Sequence, residues 1–271
     1  MPDSITDHYS THLDGRQILS QIDSHYPQGP GLYQLAPIDQ LHTGGIKASE
    51  RLLSHLTEGQ QVLDIGSGLG GVMRLIAERA NCQVTGIDLT HSFNHLNTEI
   101  GQRWNSDIAM QTATADGQSL PFTTHCFDHV LYQHSLVNMP DKSAALNEAA
   151  RVLKPDGQVI LHELIQGPAY LDLQYPVPWA SQAENSHLMT ECDLQHLLNK
   201  AGFSQLTINN WSDDARQWRQ RQLSKENGNA VKAAPLSPAL VLGEGFKQMG
   251  RNIMQGLACD AIQVIEVIAR R

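Results

Sequence analysis

The sequence predicts an α/β fold: a mostly parallel sheet of seven strands with helices packed on both faces. Three patterns carry that expectation. From residue 60 onward, strand-like and helix-like stretches alternate, which is the pattern of a parallel sheet whose crossovers are helices. The first of these strands runs into a glycine-rich turn that opens a helix, VLDIGSGLGG. Acidic residues then stand at or just after the ends of the first three strands, at Asp64, Asp88 and Asp116, along the edge where open α/β sheets bind their ligands.

The chain has 271 residues, 41% hydrophobic and 17% charged, an ordinary globular composition able to bury a core. Motif spacing favours one Rossmann-like domain with added segments over two separate domains. With 19 Lys+Arg against 28 Asp+Glu the formal charge is -9, and no basic run forms the stripe that neutralises several phosphates. Nucleic acid is therefore not an expected partner. Residues 1–15 have neither a basic start nor an apolar centre, and nowhere do about 20 apolar residues run together. No membrane association and a cytoplasmic location are expected. Cys82, Cys126, Cys192 and Cys259 lie far apart, with no CxxC pair and no histidine at metal-ligand spacing. They read as buried thiols, and no metal site is expected.

Taken in order, Ile18, Leu19 and Ile22 sit at helical spacing before the break PQGPG, which predicts a short amphipathic helix ending in a turn. Residues 35–56 follow as a loop carrying His42, Gly44 and Gly45, leading into a helix with Ile46, Leu52, Leu53 and Leu56 on its apolar face. The alternating part then reads QVLDIG (strand), VMRLIAERA (helix), QVTGIDL (strand), residues 91–103 (helix), IAMQTATAD and FDHVLYQH (strands), residues 142–153 (helix) and GQVILHEL (strand). One more strand, SQLTINNW, precedes a polar helical insert at about 213–258, and the chain closes on AIQVIEVIARR, rich in Val and Ile as a buried strand should be.

In VLDIGSGLGG, Gly66, Gly68 and Gly71 lie between strand and helix, where missing side chains let the backbone turn tightly and a ligand come close. A nucleotide-type cofactor is expected there. By itself this spacing fits a dinucleotide loop equally well. Asp88, after the second strand in GIDLT, can accept both hydroxyls of a ribose, and Asp116 stands at the same edge within reach of an adenine amino group. A dinucleotide fold leaves Asp116 without a role.

Together VLDIGSGLGG, GIDL, ATADGQSLPF, FDHVLYQHS and RVLKPDGQVIL resemble, in order and spacing, the motifs of the class I S-adenosylmethionine-dependent methyltransferases, over about residues 60–165. DQLHTGG, NMPDK, YPVPWA, KAGF and WSD resemble the branch holding the sarcosine/dimethylglycine N-methyltransferases and, more distantly, the phosphoethanolamine methyltransferases. The resemblance implies a Rossmann-like sheet whose last strand is antiparallel, an N-terminal helical lid and a helical insert before the last strand. It divides the chain into an N-terminal helix and lid loop (1–45) and a methyltransferase domain (46–271). Within the latter lie a cofactor half (60–165), acceptor-pocket elements (166–200) and the insert (213–258).

For single residues the resemblance implies that Gly66 and Gly68 face the methionine part of S-adenosylmethionine, Asp88 the ribose and Asp116 the adenine. Asp64 would anchor the loop and the cofactor's amino group, with Leu89, Gly117 and Gln133 completing the cofactor site. His134, which leaves the fourth strand at the ligand edge, and His42, on the loop that would close over the cofactor, are the candidate catalytic residues. Tyr33, Asn138, Tyr175 and Trp179 are candidates for the acceptor pocket, because ring faces attract an ammonium by ~0.5 to 2 kcal/mol. Tyr170 is a further aromatic of this group, and Glu163 could balance a bound cation. His125, His129 and His162 read as surface or packing residues.

The expected activity is methyl transfer by in-line displacement to a small molecule, most simply an amine of the glycine, sarcosine or dimethylglycine kind, by a chain that could form a homodimer. Thiol, oxygen and carbon acceptors stay open, as do a non-catalytic S-adenosylmethionine-binding partner protein and, on the glycine loop alone, a nicotinamide-dependent oxidoreductase.

Overall fold

Seven strands form one sheet in the order β3-β2-β1-β4-β5-β7-β6. The strands are β1 (Gln61–Ile65), β2 (Gln83–Asp88), β3 (Gln111–Thr114), β4 (Phe127–Gln133), β5 (Leu153–Gln166), β6 (Ser204–Asn210) and β7 (Ile262–Arg270). The coordinates are those of a computed structural model and describe residues 13–104, 110–227 and 235–271. β1 pairs in parallel with β2 and β4, β2 with β3, and β4 with β5, while β7 runs antiparallel to both β5 and β6. The predicted architecture, including the reversed last strand, is the one observed.

The central strands have Val, Leu and Ile on both faces because helices cover both. Leu63, Ile65, Val130 and Tyr132 pack into one core with α6 (Lys142–Val152) and α7 (Glu191–Lys200). Val62, Val84 and Leu131 face the other way, against α4 (Gly71–Ala80) and the end of α3 (Ile46–Leu52). Side chains alternate along a strand, so the residues that prolong the second face at the carboxyl ends of β1 and β4 are Asp64 and Gln133.

At the N-terminal end of the described chain, α1 (Gly15–His25) is capped by the Asp14 carboxylate, which accepts the Gln17 N–H at 3.0 Å. It buries Ile18 and Ile22 against Phe93, Leu96 and Ile100 of α5 (His91–Arg103). The expected loop over 35–45 is corrected: Leu32–Asp39 form a helix, α2, with Pro37 inside it. Leu32, Leu35 and Ile38 give it one buried ridge, and a proline near its end forgoes a single hydrogen bond.

The insert holds α8 (Ser212–Asn227), α9 (Ala239–Leu242) and α10 (Phe246–Ala258); its part at 228–234, residues 1–12, and the first two residues of the expected third strand lie outside the described residues. A further correction concerns the cysteines. Cys82 is buried and Cys126 half-buried, but Cys192 and Cys259 are exposed, because each sits on the solvent side of a helix or just past its end.

Candidate active site

A cleft of about 1350 Å³, counted out to its open mouth, lies at the carboxyl ends of β1, β2 and β4. Its floor is the glycine loop. The Gly66 and Ser67 N–H groups donate to the Ile87 carbonyl at 2.8 and 2.9 Å, tying the loop to β2. Gly66 has φ 80°, and a Cβ there would lie 2.3 Å from Ser135 Cβ, so a side chain is excluded on both counts. Ile38, Asp39, Leu41 and His42 wall the cleft from α2 and the loop after it, Val241 and Leu242 from α9, and Pro178 and Trp179 from the segment after β5.

Asp88 braces two loops. Its Oδ2 accepts the Gly68 N–H at 3.0 Å and its Oδ1 the Thr90 N–H at 2.8 Å. Burial raises its pKa while these N–H groups pull it back. Asp116 accepts the Gln118 N–H at 2.8 Å and lines the cleft with Leu89 and Gly117. Asp64 is buried, and burial together with the Asp88 charge pushes its carboxyl up to about 7.

His134 follows β4 with φ 52°, a left-handed conformation uncommon outside glycine. The turn is held by its N–H, which donates to the His162 carbonyl at 2.9 Å. Its imidazole stacks on that of His162 (centroids 5.2 Å apart, 13° between planes), and His42 meets both edge-on at 5.9 Å. Burial holds all three rings neutral, with each other's charge as a further cause at His42 and His134: His42 is pushed down to about 3, His162 to about 4, and His134 well below the ordinary range. His42 Nε2 lies 3.0 Å from the Gly45 carbonyl, and His162 Nε2 2.9 Å from that of Thr43.

Among the proposed site residues, Asp64, Gly66, Gly68, Asp88, Leu89, Asp116, Gly117, Gln133, His134, His42, Asn138 and Trp179 all line this cleft. Tyr33 and Tyr175 are not among the lining residues. Tyr33 is 53% exposed and its hydroxyl bonds Glu50, with the Lys47 ammonium 5.6 Å from its ring centre. Tyr175 sits behind the wall, where burial raises its hydroxyl to about 12. There Tyr170 Oη and Trp179 Nε1 donate to Ser186 Oγ at 3.1 and 3.0 Å, which fixes the Trp179 ring. Glu163 is not among the lining residues of the cleft. Its Oε1 accepts the Ser135 and Leu136 N–H groups at 2.9 and 2.8 Å, so it holds the turn after β4.

Three contributors were missed in the sequence. Asp39 lines the cleft and pairs at 2.8 Å with the fully buried Arg74. Ser49 lies 3.1 Å from the Gln133 amide. His162 is the β5 partner of Gln133, and only strand register could have revealed its contact with His134.

Residues of this cleft carry six buried polar atoms that have no hydrogen-bond partner among the described residues: Asp39 Oδ1, Asp64 Oδ2, Ser67 Oγ, Gln133 Nε2, His134 Nε2 and Ser135 Oγ. Leaving such an atom unpaired costs about 1–3 kcal/mol, so their clustering suits a polar ligand. Four aspartates line the same cleft, Asp39, Asp64, Asp88 and Asp116; Asp39 is paired with Arg74, which leaves the carboxyls of the other three to face a cationic nucleoside. S-adenosylmethionine, with its sulfonium and ammonium, fits that donor set.

Comparison with known proteins agrees. Residues 63–161 match the family model described as a methyltransferase domain. The chain is 30% identical over 132 residues to a glycine/sarcosine/dimethylglycine N-methyltransferase of Actinopolyspora halophila, covering 48% of this chain and 23% of that protein. It is 25% identical over 189 residues to a phosphoethanolamine N-methyltransferase of Triticum aestivum, covering 69% and 37%. It thus spans about a quarter to two fifths of the length of these two relatives. Among solved structures, phosphoethanolamine N-methyltransferase 2 of Haemonchus contortus, in complex with phosphomonomethylethanolamine and S-adenosylhomocysteine, superposes with a TM-score of 0.71 at 18% identity, covering 92% of this chain and 58% of that one. Residues 63–161 are thus similar to a methyltransferase domain, and the fold is the one shared by the superposed methyltransferase. No helix among the described residues is long and apolar enough to cross a membrane.

Proposed function

We propose that this protein transfers a methyl group from S-adenosylmethionine to the nitrogen of a small amine. When bound, S-adenosylmethionine supplies an electrophilic methyl on a positively charged sulfur. The acceptor amine gives its lone pair to that methyl carbon, the carbon–sulfur bond breaks with its pair left on sulfur, and the amine proton goes to solvent. Alignment matters most: holding the two partners in line contributes roughly 7 to 11 kcal/mol, against about 3 to 5 kcal/mol for a general base.

The observation that carries the amine reading is the set of neutral imidazoles beside the glycine loop, His42 and His134, both lining the cleft and both kept uncharged by burial. A neutral imidazole has a nitrogen lone pair that accepts an amine N–H and directs the amine's own lone pair elsewhere. A protonated one would repel an ammonium product. The Trp179 ring favours the positive charge that moves from sulfur to nitrogen. His134 and His42 are thus read as orienting residues that touch the acceptor, with Asn138 and Trp179 as its walls.

The test is to incubate the protein with S-adenosylmethionine and separate panels of small amines, alcohols and thiols, following S-adenosylhomocysteine by mass spectrometry. Turnover with amines is expected, rising with pH as the acceptor loses its proton and showing no step near the ordinary histidine pKa. Turnover confined to alcohols or thiols would contradict the amine assignment.

A further inference from the structure

Ser49 is fully buried on α3, and its hydroxyl sits among three polar groups. Its Oγ lies 2.6 Å from Gln40 Oε1, 3.1 Å from the terminal amide of Gln133 and 3.2 Å from His42 Nε2. A serine hydroxyl has one hydrogen to give and lone pairs with which to receive. His42 Nε2 is 3.0 Å from the Gly45 carbonyl, which can only accept, so this nitrogen carries the single hydrogen of a neutral ring. It has no lone pair for Ser49. Gln40 Oε1 is the nearest acceptor, and since this orientation leaves neither Gln40 amide atom buried without a partner, it takes the serine hydrogen.

What Ser49 then offers Gln133 is a lone pair, and only the amide nitrogen can bond to it. The oxygen and nitrogen of an amide exchange by a half-turn, and hydrogen-bond balance decides between them. With the oxygen toward Ser49, the nitrogen is buried with no partner among the described residues. With the nitrogen toward Ser49, that bond forms and the oxygen takes the buried, unpartnered position the nitrogen held, on a residue that lines the cleft beside His134.

We propose that Ser49 is a positioning residue: it pins the Gln133 amide by its nitrogen, so that a carbonyl oxygen is presented to the methyl donor. The inference rests on the S-adenosylmethionine reading above. A fixed oxygen attracts a sulfonium and gains nothing from the neutral thioether left after transfer. The pair therefore favours the methyl donor over the spent product, which eases product release.

The test measures dissociation constants of S-adenosylmethionine and S-adenosylhomocysteine by calorimetry and compares their ratio between variants. Such a ratio does not depend on the fraction of folded protein. In Ser49→Ala the preference for the sulfonium falls about threefold or more. Gln133→Met, which leaves Ser49 in place, lowers it similarly. Adding Gln133→Glu to Ser49→Ala restores it, because a carboxylate presents oxygen whichever way it turns. An unchanged ratio in Ser49→Ala, or a loss that glutamate does not restore, overturns the orientation while leaving the methyltransferase reading intact. Wild-type protein that binds neither ligand overturns both.

Discussion

His134 shows how one backbone angle serves the site. Its left-handed conformation turns the chain at the end of β4 and brings the imidazole against His162 and His42. Asparagine tolerates that conformation better than alanine does. His134→Asn is therefore expected to fold normally, to bind S-adenosylmethionine with nearly unchanged affinity and to lose at least about tenfold in turnover with the preferred amine. Asp88 is proposed to serve the cofactor rather than the acceptor. Asp88→Ala removes both the proposed ribose partner and the acceptor of the Gly68 and Thr90 N–H groups, so calorimetry should find S-adenosylmethionine affinity reduced about 10- to 100-fold.

Glu163 yields a prediction about pH. Burial raises its carboxyl from 4.5 to about 7, against the pull of the backbone N–H groups it accepts. A carboxyl raised on folding stabilises the folded state fully below its unfolded pKa, and that contribution is lost as pH rises through the folded value. Glu163→Gln abolishes this dependence. Denaturant unfolding of variant and wild type should diverge in the variant's favour by up to about 1.4 kcal/mol per pH unit between those two values. Equal pH profiles would contradict the assignment. The glycines and the acids were legible in the sequence because each stands at a fixed place relative to a strand end. Glu163 and His162 were not, since their partners lie on neighbouring strands or turns.

Between elements, the contact that shapes the cleft is that of α2 with the glycine loop and α4. A Cβ on Gly71 would lie 2.3 Å from the Asp39 carbonyl oxygen, so glycine is what lets α2 sit directly on the start of α4. Arg74 then ties three parts together: it donates to Asp39 Oδ2 at 2.8 Å, to the Leu69 carbonyl and to Asn97 Oδ1 at 3.0 Å. Arg74→Met leaves a buried carboxylate without its cation and should cost about 3–5 kcal/mol in urea unfolding, with part of the loss recovered by adding Asp39→Asn. No change in either variant would mean the clasp contributes nothing. Helix boundaries were legible where periodicity is strong, as in α5, whose observed span His91–Arg103 matches the expected 91–103. α2 was hidden because Pro37 and the following glycines look like a loop, while its ridge of Leu32, Leu35 and Ile38 is too short to stand out.

Across the whole molecule, the sheet order places β1 between β2 and β4, so that the glycine loop, Asp88 and His134 meet at one edge although nearly 70 residues separate the first from the last. The alternation of strands and helices made this layout legible. The opposite wall of the cleft was less so, because Trp179, Val241 and Leu242 come from segments with no fixed spacing to the sheet, and Tyr33 and Tyr175, plausible by residue type alone, do not line it. The central claim is that the acidic cleft at the carboxyl ends of β1, β2 and β4 holds S-adenosylmethionine. Its most direct test is a crystal structure of the protein grown with S-adenosylhomocysteine. The ribose hydroxyls are predicted to meet Asp88, with the adenine beside Asp116 and Leu89; a nucleoside bound at any other place, or a complex that does not form, would contradict the account.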